Sequence, residues 1–317
     1  MRIAFAALLL ALAGHAAAQD WPSRPVRVVV PFPPGGGTDT VARPLSAKLS
    51  TMLGQQFIID NRGGAGGTIG ANVAAKSPAD GYTVLLAPVH LAVAVSAYKT
   101  LPYDLEKDLI AVTTVAIFPD VLVAATKVPA RDLSELINYA RANEGKVNCG
   151  SAGNGTTRHL SCEMFNTLAG IKATHVPYKG TGPATAALLA GEIDYVFEAL
   201  GSAAGHIRAG KIKAIAVTAA KRSPSFPDIP TTAESGLPAL EMSSWYGLWL
   251  PAGTPAPIAQ RLQATVAKAF EEQDMKDLWF KLGAEPGGSS SDAFRAFQRR
   301  EIEKWAKVVR EARVSME

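Results

Sequence analysis

The chain has 317 residues, 48% hydrophobic and 19% charged, the balance of a globular protein with a substantial core, which excludes a disordered chain. Lys and Arg number 32 against 28 Asp and Glu, a net charge of +4 with no basic run beyond Lys221-Arg222 and Arg299-Arg300, so no nucleic-acid footprint is present. The length suits two ordinary domains or one large one, and the mild positive balance suits small anions as partners.

Residues 1–18 read as a secretory leader. Arg2 supplies the positive start, residues 3–13 an apolar stretch too short to span a bilayer, and Ala16-Ala17-Ala18 the small-residue cleavage site. The mature chain is expected to start at Gln19, to be soluble and to reside in a bacterial periplasm.

The first element is a β-branched run, Val26, Val28, Val29 and Val30, which predicts a buried strand. It breaks at Pro31, Phe32, Pro33, Pro34, Gly35, Gly36 and Gly37, a shaped turn, because proline fixes φ and glycine permits positive φ. Thr38 or Asp39 is expected to cap a helix with Val41, Leu45, Leu49 and Met52 inward. Strand, glycine-rich turn and helix N-terminus together suit an anion, the alternative being an ordinary βα turn. The spacing matches neither a dinucleotide fingerprint, since Thr40 stands where the third Gly belongs, nor a phosphate loop, since no Lys follows the triplet.

A strand at 57–59, a second glycine-rich turn, a helix at 69–76 and a strand at 83–86 complete a β-α-β-α-β pattern, which predicts a parallel sheet. His90 falls just past the carboxyl end of the third strand, where open parallel sheets gather ligands. Two apolar runs, 113–117 and 121–124, flank Phe118-Pro119-Asp120 and suggest a strand leaving one domain for another.

After a helix at 133–143, a strand ending near Cys149 runs into Ser151, Ala152, Gly153, Asn154, Gly155, Thr156 and Thr157. The helix that follows is expected to point Leu160, Met164, Phe165 and Leu168 inward. This is a second anion-competent N-terminus, with hydroxyl donors at Ser151, Thr156 and Thr157. Cys149 and Cys162 bracket it; a bridge would cross a βα unit, where Cα atoms can stand too far apart, so the pairing stays open. Strands at 175–178, 194–198 and 214–218 follow, with the turn 179–183 leading into a helix and Glu198 at a strand end. Residues 245–250 read as a return crossing, and two amphipathic helices finish the chain and pack on the first domain.

Two near-misses need weighing. Residues 205–211 have phosphate-loop spacing, but Ile212 replaces the required hydroxyl. Cys149-Gly150-Ser151-Ala152-Gly153 is one residue from a nucleophile elbow, with Asp194 and His206 in hydrolase order, which keeps a serine esterase using Ser151 as a remote alternative. No cluster has metal-ligand spacing, and neither a metal nor a cofactor is expected.

Several blocks resemble the Bug-type (TctC-like) extracytoplasmic solute-binding proteins of tripartite tricarboxylate transporters. They are VVPFPPGGGTDTVAR, NRGGAGGTIGANVAAKSPADGYTVL, LPYDLEKDL, GSAGNGTTRHL, HVPYKG, AGKIKAIAVT, FPDIPTTAESGLP and LWLPAGTP, and they span most of the mature chain. The resemblance implies an α/β, two-domain Venus-flytrap fold of the periplasmic-binding-protein type, with ligand in the interdomain cleft. Domain 1 would comprise 19–119 and 247–317, and domain 2 would comprise 120–246.

The resemblance also implies a small carboxylate held by backbone amides, helix dipoles and waters, without an Arg clamp. The holding residues would be Phe32, Pro33, Pro34, Gly35, Gly36, Thr38 and Asp39 on one side, and Ser151 to Thr157 on the other. Glu198, commonly Asp in the family, and His90, in a variable loop, become candidates for ligand specificity. The expected function is capture of an organic carboxylate for a membrane permease by a monomeric, non-enzymatic protein; the alternative is a binding protein that signals to a membrane sensor kinase.

Overall fold

The computed structural model describes residues 21–219 and 221–311. The leader read at 1–18 lies outside the described residues. In chain order, β1 (Val26–Val30), α1 (Gly37–Leu53), β2 (Phe57–Asn61), α2 (Thr68–Ala75), β3 (Thr83–Pro88) and α3 (His90–Ala97) form the first alternating unit. The long β4 (Leu109–Ala124) follows. A second unit comprises α4 (Leu133–Ala142), β5 (Asn148–Ser151), α5 (Thr157–Ala169), β6 (Thr174–Pro177), α6 (Thr181–Ala190), β7 (Tyr195–Ala199), α7 (Leu200–Arg208) and β8 (Lys213–Val217). The chain then returns through β9 (Ser243–Pro251), α8 (Ala256–Ala269), α9 (Gln273–Leu282), β10 (Glu285–Pro286) and α10 (Ser291–Glu311).

The strand order is β2-β1-β3-β9-β4-β7-β5-β6, with β8 and β10 also on β4. β1 pairs in parallel with β2 and β3, and β5 in parallel with β6 and β7. Every residue of β1 but Arg27 is buried, the continuous apolar character expected of a parallel strand covered on both faces. Between these two parallel units, β4 and β9 run antiparallel to their neighbours.

The two apolar runs around Pro119 are one strand. Leu109 through Pro119 pair with β9, and Asp120 through Ala124 pair with β7 and β8. The break seen in the sequence is a change of partners: proline cannot donate to a ladder, so it is tolerated where the pairing passes from one sheet to the next.

Helix α3 was not visible in the sequence, because six of its eight residues are buried and HLAVAVSA carries no polar stripe. Among the described residues three helices, not two, follow the return strand; α9 buries Met275 and Trp279. Leu168 is 37% exposed, against the inward position expected of it. α10 packs on α3 and β4. It is pinned to β9 by indole donors: Trp245 Nε1 donates to Glu301 Oε2 at 2.8 Å and Trp249 Nε1 to Gln298 Oε1 at 2.8 Å. Cys149 on β5 and Cys162 on α5 form a disulfide across a Cα separation of 6.1 Å, so the βα unit is close enough to bridge. That bond ties the strand before the second glycine-rich loop to the helix after it.

Candidate ligand-binding cleft

The β1–α1 loop is shaped by a carboxylate on its own helix. Asp39, 3% exposed, accepts from the Gly35 amide at 3.0 Å, from Arg43 Nε at 2.6 Å and from Asn61 Nδ2 at 3.2 Å. Asn61 Nδ2 also donates to the Phe32 carbonyl at 2.9 Å. Burial works to raise the Asp39 pKa, but these donors outweigh it and hold the carboxyl below its ordinary value. Asp39 therefore braces the loop; neither it nor Thr38 caps α1, whose N-cap is Gly36 without a side-chain bond. A Cβ on Gly37 would lie 2.9 Å from Tyr246 Oη and 3.0 Å from Ser202 Oγ, so only glycine lets the helix start approach this closely.

The β5–α5 loop is propped from behind by two histidines. Ser151 Oγ lies 2.6 Å from His175 Nε2 and accepts from the Gly153 amide at 3.1 Å. The Gly155 amide donates to His159 Nδ1 at 3.1 Å. The two imidazoles stack with centroids 3.9 Å apart. Thr156 is the N-cap of α5, accepting from the His159 amide at 3.4 Å, and its hydroxyl donates to the Gly153 carbonyl at 2.7 Å. Burial lowers the pKa of both rings, His175 to about 4 with help from His159. Several amides expected to hold an anion are thus spent inside the loop.

A third loop, unmarked as a site by the sequence, leads into α6. The Tyr178 amide donates to the Ser151 carbonyl and the Gly180 amide to the Ala152 carbonyl, both at 3.0 Å, which lashes this loop to the second one. Across the gap, the Gly37 amide donates to Thr181 Oγ1 at 3.4 Å.

These loops enclose a cavity with about 470 Å³ of empty space, mouth included. Of the residues expected from sequence, Phe32, Pro33, Pro34, Gly36, Thr38, His90 and Ala152 line it. A second compartment of about 1090 Å³, mouth included, shares Phe32, Pro33, Ala152, Lys179 and Gly180 and adds Gly153, Asn154 and the 63–67 turn. Pro33 and Gly153 therefore face one gap. Gly35 lines a separate groove. Asp39, Ser151, Gly155, Thr156, Thr157 and Glu198 line neither compartment: they stand behind the walls as braces.

The lining residues that sequence reasoning missed include Gly37, Pro88, Arg158, Tyr246 and the third loop, Lys179, Gly180, Thr181, Gly182 and Pro183. Arg158 places a cation in the wall of a cavity that was expected to have none. It is 4% exposed; Nη1 donates to Thr157 Oγ1 at 3.1 Å and to Ser244 Oγ at 2.9 Å, and Nη2 to Asp120 Oδ1 at 3.4 Å, while Nε has no partner among the described residues. Burial works against its charge, and Asp120, Glu198 and Tyr246 more than offset that.

Glu198 sits 2% exposed behind Thr185, whose Oγ1 is 2.9 Å from Glu198 Oε1, and Oε2 has no partner among the described residues. Burial pushes its pKa up to about 7 against the pull of Arg158 and Thr185.

The hydrolase reading finds a histidine beside Ser151, which the sequence did not predict, but the remaining geometry is wrong. Ser151 is 1% exposed and lines neither compartment. Asp194 accepts from the Asn148 amide at 2.7 Å and pairs with Lys127, and His206 lines the separate groove with Gly35.

Known proteins carry the same architecture. The fold is that of two-domain periplasmic binding proteins. Protein BugT of Bordetella pertussis is 38% identical over 314 residues, 98% of this chain and 96% of that protein. The structure of Rpa4515 from R. palustris with adipate superposes with a TM-score of 0.90 at 38% identity, covering 93% of this chain and 99% of that one. MatC (Rpa3494) from Rhodopseudomonas palustris with bound malate gives 0.85 at 36% identity, covering 91% and 100%. The family described as "Tripartite tricarboxylate transporter family receptor" matches residues 41–314. The opposed glycine-rich loops, the strand that changes sheets between them and a match across most of the sequence agree: this chain belongs to the tripartite tricarboxylate transporter receptor family, the Bug-type solute-binding proteins.

Proposed function

We propose that the protein captures a small organic carboxylate in the cleft between its first glycine-rich loop and the paired second and third loops. The observation that carries this reading is the convergence on one cavity of the N-terminus of α1, the start of α6 and the guanidinium of Arg158. Each helix N-terminus contributes about 0.3–2 kcal/mol toward an anion, more when partly buried. Arg158 adds a charge-assisted donor at Nε. The adipate and malate held by two similar proteins support carboxylate as the ligand class.

The domains divide at residue 119/120 and again near 246/247, with β4 and β9 as the crossings. Support comes from the partner change at Asp120 and from Ser244, which donates to Asp120 Oδ1 at 2.7 Å beside Arg158. Closing about these crossings would bury the ligand, and ligand would favour the closed form because it touches both sides only there. The closed protein, a periplasmic monomer, then delivers its ligand to the membrane permease of a tripartite tricarboxylate transporter. A thermal-shift screen against mono-, di- and aromatic carboxylates tests this: an acid bound by the native state raises Tm in proportion to its saturation. A flat response across all acids, with a rise for neutral sugars or cationic amines, would contradict the reading.

A further inference from the structure

His90 lies in the wall of the first cavity as the first residue of α3. It is 6% exposed, and neither Nδ1 nor Nε2 has a hydrogen-bond partner among the described residues. Buried polar atoms are almost always paired, so a buried imidazole without a partner among the described residues, on a residue that lines the cavity, marks a place where the partner arrives with the ligand. The edge-to-face contact with Phe32, centroids 5.1 Å apart, fixes the ring.

The ring is kept uncharged by its surroundings. Burial is the larger cause and the positive charge of Arg158, in the same wall, the second. The N-terminal position on α3 acts in the same sense. A neutral imidazole offers one N–H donor and one lone-pair acceptor. A methylene would satisfy neither, an ammonium would meet the charge of Arg158, and a second carboxylate could take the ring N–H only by bringing a further charge. A hydroxyl both donates and accepts, without bringing a further charge into a buried site. The unpartnered Nε–H of Arg158 and the start of α1 meanwhile suit the carboxylate.

We propose that His90 is a specificity residue that reads an uncharged hydroxyl on the bound acid, so that the ligand class is hydroxy-substituted carboxylates. This rests on the carboxylate-binding function proposed above and narrows it.

The test is calorimetric affinity for matched pairs, lactate against propionate, 3-hydroxybutyrate against butyrate, and malate against succinate. The proteins compared are the wild type, His90→Leu and His90→Gln. The wild type is expected to bind the hydroxy member of at least one pair 10-fold or more tighter than its partner. His90→Leu should bring that pair within about 3-fold while still binding both acids, because a site that loses its hydrogen-bonding group loses the means to reject the analogue lacking a hydroxyl. His90→Gln, which keeps a donor and an acceptor on a neutral group, should retain most of the preference and covers the case in which the leucine variant fails to fold. Equal binding of every pair by the wild type, or an undiminished preference in His90→Leu, overturns the role of His90 and leaves carboxylate capture standing. Binding of none of the six acids, with Tm rising instead for uncharged solutes, overturns both.

Discussion

Arg158 on α5 and Asp120 on β4 form an ion pair at 3.4 Å, with side chains 4% and 2% exposed, at the point where β4 exchanges one set of partners for another. Ser244, at the start of the return strand, bonds to both. The guanidinium is held at the crossing while Arg158 lines the cavity, so a group proposed to meet ligand is fastened where the two sheets join.

Breaking this pair from one side leaves an uncompensated buried charge. Arg158→Met and Asp120→Asn are each expected to lower stability by about 3–5 kcal/mol, and the double variant by less than the sum. Denaturant melts of the four proteins measure the coupling; strictly additive losses would show that the pair is no unit.

The first loop has little room for side-chain bulk. A Cβ on Gly36 would touch Thr181 Oγ1 at 3.4 Å, and branches beyond it would enter the cavity. Gly36→Val is expected to abolish carboxylate binding in calorimetry while moving Tm by no more than a few degrees. Gly153 has φ +130°, so Gly153→Val adds backbone strain and is expected to cost both binding and stability.

Buried histidines and Glu198 set opposite pH slopes. His90 and His175 are held down to about 3 and about 4, by burial first and by Arg158 and His159 second, respectively. Below pH 6.5 the unfolded chain takes up protons that the native protein refuses, so stability falls as pH drops from 6.5 toward 4. The slope is about 1.4 kcal/mol per pH unit for the buried His90. Glu198, pushed up to about 7 chiefly by burial, has the other sign. The native state keeps a proton that the unfolded chain releases above pH 4.5, so stability is lost as pH rises through 7. Glu198→Gln is expected to be more stable than wild type at pH 8, by about 1–3 kcal/mol, and no more stable at pH 4. Melting curves across pH 4–8 for His90→Gln and Glu198→Gln separate the two slopes.

The Cys149–Cys162 bridge closes a short loop, with a sequence separation of 13. Its removal by paired serines is expected to cost about 2–4 kcal/mol. Because the bond flanks residues 151–157, ligand affinity should fall as well, and titration of the reduced protein measures how much the second loop depends on it.

The strand-and-turn run through Val30 and Gly37 and its counterpart after Cys149 could be read from the chain alone, since valine runs followed by Pro, Gly, Ser and Thr signal βα turns directly. That the two turns face one gap came from family resemblance, and the shared wall of Pro33 and Gly153 agrees with it. Arg158 stands just inside the second helix in the sequence, but nothing there gave it a role in the site, because its partner Asp120 lies 38 residues away on another strand. The second loop was expected to offer its amides to ligand. His159 and His175 occupy part of that loop's bonding, and His175 comes from 24 residues beyond Ser151, a distance at which local pattern carries no information. The third loop at 179–183 read as an ordinary turn because only tertiary bonds to Ser151 and Ala152 bring it to the cleft.

The most direct test is a crystal structure with the tightest acid found by thermal shift. The ligand carboxylate is expected within hydrogen-bond distance of the α1 N-terminus or Arg158 Nε, enclosed between Phe32 on one side and Ala152 with the third loop on the other. A carboxylate lodged outside that cleft, with the two walls apart and empty, would contradict the account.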